Sequence, residues 1–150
     1  MYYIILIIAL IAIDQAVKLF VSSHMMLGAE IPVIDGFFSI TYIHNTGAAF
    51  GILAGHIAFL LVLTGIMVGL VCVYLIVKRK TIHKVAGISL ALIVSGGVGN
   101  IIDRTVYGYV IDFLDFKVWD PIFNIADIAV CVGCGLMILY VIFLDRKESR

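Results

Sequence analysis

Four apolar stretches, each long enough to cross a bilayer, leave this chain few folds to choose from. A hydrocarbon layer about 30 Å thick is spanned by roughly 17–25 helical residues. No water reaches the backbone there, so each stretch is expected to satisfy its own N–H and C=O groups as a helix. The stretches run about 1–20, 57–77, 85–102 and 122–144. Residues are 63% hydrophobic, against about 45–50% in soluble domains. A length of 150 residues suits a single membrane-embedded domain, 1–150. The expected fold is therefore an all-α polytopic membrane protein with four transmembrane helices. The first stretch has no basic n-region and no clear cleavage site, and Asp14 and Lys18 interrupt it. It reads as a retained helix rather than a cleaved signal.

Charge placement sets the expected orientation. Lys78, Arg79, Lys80 and Lys84 fall between the second and third helices, and Arg146, Lys147 and Arg150 follow the fourth. Basic residues in short loops mark the cytoplasmic side. Both termini are then inside, with Asp145 and Glu148, and the other acids lie on or toward the outside. Formal net charge is zero, so no electrostatic case for nucleic acid arises.

The outer connections carry their own patterns. Ile31–Ile34 and Phe37–Ile43 flank Asp35-Gly36, a turn dipeptide, which predicts a small outer β region over about 29–50. The second connection, about 104–121, mixes aspartates with aromatics, including Trp119, and is expected as an interfacial loop or short helix. Asp120 followed by Pro121 suggests an N-cap and first turn for the fourth helix. Ser95 and Gly99, and Gly65 and Gly69, have the four-residue spacing that lets helices approach closely in lipid.

Ionisable groups inside membrane helices are expensive and point to function. Asp14 and Lys18 share one helix face, at i and i+4, with Asp14 about 20 Å up from the cytoplasmic end. Asn100, Asp103 and Arg104 share another at the outer end of the third helix. Asn124 and Asp127 open the fourth, with Asp127 roughly 7–8 Å deep. With Asn45 and Asp112 from the outer connections, these residues converge on one slab near the outer interface, as a shared polar site would.

The chemistry open to such a site is narrow. No serine has a matching histidine and acid. His24, His44, His56 and His83 are scattered without zinc-ligand spacing, and Cys131 and Cys134 read as small apolar residues, so no metal and no cofactor is expected. Close carboxylates cannot both ionise, so one keeps a proton while the other is charged, and such a pair can run acid–base hydrolysis. A proton-coupled carrier and a membrane assembly subunit with an outer polar cluster remain as alternatives. The carrier requires polar groups through the full thickness, and Ile57–Val77 has no charged residue.

Five blocks in order resemble the prolipoprotein signal peptidase family of bacteria, signal peptidase II. They are Asp14-Gln15-Ala16-Val17-Lys18, Asn45-Thr46-Gly47-Ala48-Ala49-Phe50-Gly51, Gly96 through Arg104, Val110-Ile111-Asp112-Phe113, and Phe123-Asn124-Ile125-Ala126-Asp127. The resemblance implies four transmembrane helices, a small extracytoplasmic β domain and a short outer helix over the site. It implies an aspartic endopeptidase of the bacterial inner membrane that cuts lipoprotein precursors before a diacylglyceryl-modified cysteine. It assigns the catalytic pair to Asp112 and Asp127, and a supporting or substrate-binding set to Asp14, Lys18, Asn45, Gly47, Asn100, Asp103, Arg104 and Asn124. Partners are then lipidated precursors and membrane lipid, and a monomer is expected.

Overall fold

The computed structural model describes residues 2–48 and 52–144. The basic residues and acids of 145–150, and Ala49-Phe50-Gly51 of the second block, lie outside them. In chain order the elements are α1 (Tyr2–His24), β1 (Glu30–Ile34), β2 (Phe38–Asn45), α2 (Ile57–Lys78), α3 (Lys84–Tyr107), β3 (Val110–Phe116) and α4 (Ile125–Leu139), which continues as a π-helical turn over Tyr140–Leu144. Among the described residues, four helices are long and apolar enough to cross a membrane, with mean hydropathy between 2.0 and 2.8.

Helix α3 is the hub. Its spanning window is 44% buried, against 11–17% for the others. The reason is its run of small residues. A methyl group on Gly96 would strike the Ala126 carbonyl of α4, one on Gly97 would come 2.6 Å from Val68 Cγ2 of α2, and one on Gly99 would come 2.8 Å from Asp14 Oδ2 of α1. Three closely spaced glycines thus receive three different helices. Dispersion and close approach, rather than water exclusion, hold helices together in lipid. Gly65 and Gly69 do not share this role. A side chain on either would meet nothing within 4 Å, so their spacing marks no helix contact.

The outer part is a three-stranded antiparallel sheet in the order β1-β2-β3. Asp35 and Gly36 form the β1–β2 turn, with Gly36 at φ 69, where only glycine is unstrained. The third strand is a correction to the sequence reading, which left Val110–Phe116 in a loop. The strand is buried along most of its length on both faces, so it lacks the alternation that marks a half-exposed strand. Val21 of α1 packs with Tyr42, Ile111 and Phe113 and pins the sheet to the bundle.

The fourth helix also starts differently. Asn124, not Asp120, is its N-cap, and the stretch before it is extended, with Phe123 exchanging backbone hydrogen bonds with Leu114 of β3 at 2.8 and 2.9 Å. Among the described residues, no separate short helix lies in either outer connection. Helix α3 runs five residues past the expected end, to Tyr107, and stops at Gly108 in the left-handed region.

Candidate active site

All ten residues singled out in the sequence meet in one network at the end of the bundle that carries the sheet. Asp112, on β3, is 1% exposed. Its Oδ1 accepts from Asn124 Nδ2 at 2.6 Å, and its Oδ2 from Asn45 Nδ2 at 2.9 Å. Asp127 sits in the first turn of α4. Its Oδ1 accepts from Asn100 Nδ2 at 2.8 Å and its Oδ2 from the Asn124 backbone N–H at 3.2 Å. The Asn124 side-chain Oδ1 in turn accepts from the Asp127 N–H at 2.9 Å, which completes a reciprocal cap of the helix.

Amide orientations follow from chemistry. Lys18 is an ammonium and can only donate, so the Asn100 atom facing it at 3.1 Å is its oxygen. That turns the Asn100 NH2 toward Asp127. The same oxygen accepts from Asn124 Nδ2 at 3.2 Å. Asn124 therefore touches Asn100, Asp112 and Asp127 at once.

Beneath this layer is an ion cluster. Lys18, 1% exposed, lies 2.9 Å from Asp14 Oδ2 and 2.9 Å from Asp103 Oδ2. Buried charges persist only when paired and hydrogen-bonded, and here both conditions hold. Gln15 belongs to the cluster and was not singled out. Its Nε2 donates to Asp103 Oδ1 at 2.8 Å. The sequence carries a signal for it, since Gln15 and Lys18 are three apart and therefore share a helix face. A second network not foreseen joins Thr41, Asp115, Lys117, Glu30 and Ser39 on the sheet.

A cavity of about 770 Å³ opens over both aspartates, and Asn45, Gly47, Asn100 and Arg104 also line it. Arg104 donates from one terminal nitrogen to the Gly47 carbonyl at 2.8 Å, while its buried Nε has no partner. Burial first, and then the neighbouring Asp127 carboxylate, push the Asp112 carboxyl up to about 7, against the pull of Asn45, Asn124 and Lys18. Among the described residues, no three His, Cys, Asp or Glu side chains converge as a metal site requires.

Comparison with known proteins decides the family. Residues 6–143 match the family described as signal peptidase (SPase) II. The chain belongs to the signal peptidase II family. It is 42% identical over 149 residues to a lipoprotein signal peptidase of Fusobacterium nucleatum, covering 99% of this chain and 90% of that one. It is 41% identical over 140 residues to one from Halothermothrix orenii, covering 93% and 94%. Two solved structures described as bacterial membrane enzymes superpose on it with TM-scores of 0.87 and 0.85. Their identities are 34% and 33%, over 93% and 95% of this chain and 87% and 94% of theirs. As a family member the chain is a multi-pass bacterial membrane peptidase, and each block quoted above falls inside the matched span.

Proposed function

We propose that this chain is a single-domain aspartic endopeptidase that removes the signal peptide from diacylglyceryl-modified prolipoproteins by cutting before the lipidated cysteine. The observation that carries the reading is the Asn124 bridge, which holds Asp112 and Asp127 together at the wall of one cavity. Two carboxylates oriented by neutral amides suit water activation.

The chemistry runs as follows. The pair carries one proton, held by Asp112, and a water lies between the carboxyls. Asp127 takes a proton from that water as its oxygen attacks the carbonyl preceding the cysteine. Arg104, which lines the cavity, steadies the developing oxyanion. Asp112 gives its proton to the departing cysteine nitrogen, and the C–N bond breaks to a carboxylic acid and an amine. Asp127 is then protonated and Asp112 charged, and a proton shift between them restores the start. Asn45 and Asn100 orient the two carboxyls, and Gly47 lets the substrate backbone approach.

The basic loop Lys78–Lys84 supports an N-in, C-in topology, which puts the sheet and the cavity on the extracytoplasmic face of the cytoplasmic membrane. Precursors bearing diacylglyceryl chains then reach the site from the lipid, and a monomer suffices for this chemistry. The reading is tested by mass spectrometry of products from a synthetic lipidated precursor. It expects a new N-terminus at the lipidated cysteine, and it fails if the lipidated and unlipidated precursors are cut equally well at another bond.

A further inference from the structure

The two aspartates of the pair are suspended in matching ways. The N–H of Ala126, the residue before Asp127, donates to Asp14 Oδ1 at 2.8 Å. The N–H of Ile111, the residue before Asp112, donates to Asp103 Oδ2 at 3.1 Å. Each member of the pair thus hangs by its neighbouring peptide from a buried carboxylate, Asp14 at 1% exposure and Asp103 at 0%.

Those two carboxylates are like charges in a dry place, and something must hold them together. Lys18 binds both, but an ammonium has three N–H groups and its remaining contact is Asn100. No lysine donor is left for Asp103 Oδ1. Gln15 supplies it. Its Nε2 lies 2.8 Å from Asp103 Oδ1, 3.2 Å from Asp14 Oδ2 and 3.2 Å from the Gly99 carbonyl. All three are acceptors, so the NH2 end of the amide must face them.

We propose that Gln15 is a positioning residue that sets the separation of Asp112 and Asp127 by clamping Asp14 to Asp103. It touches neither substrate nor reacting atoms. Without its donor, Asp103 Oδ1 is left buried with one partner fewer, and Lys18 is drawn toward the two acids and away from Asn100. Asn100 orients Asp127, so the loss reaches the pair through the backbone and through the carboxylate together. A displacement of about 1 Å at reacting groups costs up to about a hundredfold in rate.

The inference rests on the aspartate reading above, and the test separates the two. Gln15→Met keeps shape and removes the donor, and Gln15→Asn keeps an amide one methylene short. Both are purified in detergent beside wild type, with Asp112→Asn as the reference for the pair. Cleavage of a lipidated precursor is followed across pH. The expected result for Gln15→Met is a kcat reduced by about ten- to a hundredfold with KM within about threefold, and an alkaline limb moved to lower pH as the carboxyls separate. Gln15→Asn, which serves alone if Gln15→Met does not fold, moves the limb the same way by less. A general loss of folded protein lowers the amplitude and leaves the limb where it was. An unmoved limb with wild-type kcat in both variants overturns the clamp. Cleavage that survives in Asp112→Asn overturns the reading of the pair itself, and the clamp with it.

Discussion

The Asn124 carboxamide donates to the Asp112 carboxylate at 2.6 Å, the shortest link between the strand and the helix that carry the pair. The same residue caps α4 and binds Asp127 through its backbone. One side chain therefore has a folding role and a site role. Asn124→Ala loses both. The expected outcome is a kcat lower by about a hundredfold or more, with about 1 kcal/mol of helix-cap stability lost. Asn124→Asp keeps the cap and removes the donor to Asp112. It also sets a third buried carboxyl against Asp112 and Asp127, so it is expected to lose activity and to lower the thermal midpoint, which steady-state kinetics and detergent melting curves measure side by side.

The raised Asp112 carboxyl gives a pH dependence with a definite sign. Its folded value is about 7 against 3.8 for the free side chain, so between these limits the folded protein holds a proton that the unfolded chain has lost. Unfolding free energy from this group therefore falls as pH rises from 3.8 through about 7, and is flat above. Activity needs the shared proton, so kcat/KM is expected to fall about tenfold per pH unit above about 7. A profile flat from pH 6 to 9 contradicts this assignment.

Lys18 is the sole cation bound to both Asp14 and Asp103 among the described residues. Lys18→Met leaves two buried carboxylates without a counter-ion. Breaking a buried pair in this way costs about 3–5 kcal/mol. The expected result is a much lower melting midpoint and little folded protein. Asp14→Asn, which keeps an acceptor for Ala126 and relieves one charge, is expected to be milder. Yields and melting curves from parallel purifications decide it.

The glycines of α3 are not equivalent to those of α2. Gly96→Ala and Gly99→Ala place a methyl against the Ala126 carbonyl and Asp14 Oδ2, so both are expected to destabilise the bundle and lower activity. Gly65→Ala and Gly69→Ala meet open space and are expected to be neutral or slightly stabilising. Melting curves of the four variants test the contrast.

The sequence made the four spans legible because lipid imposes length and hydropathy on each helix separately. The polar slab was legible because topology alone assigns depth. Asp14, Lys18, Asn100 and Asp127 could be placed together without knowing any contact. Strand β3 was hidden because burial on both faces removes alternation, and its Asp112 and Asp115 imitate a polar loop. Asn124 displaced Asp120 as the cap because Phe123 is held in extended pairing with Leu114, a tertiary constraint absent from local propensity. Gly65 and Gly69 carried the same spacing as a packing motif, yet spacing does not say which face meets a neighbour. Gln15 stood within a quoted block, but only the structure brings three acceptors onto its amide.

The central claim is that Asp112 and Asp127 together hydrolyse the bond before a lipidated cysteine. The direct test is cleavage of a diacylglyceryl-modified precursor by purified wild type, Asp112→Asn and Asp127→Asn, each checked for folding by its melting curve. The account predicts cleavage before the cysteine by wild type, and folded variants slower by about ten-thousandfold or more. A folded Asp127→Asn protein that processes the precursor at the wild-type rate would contradict it.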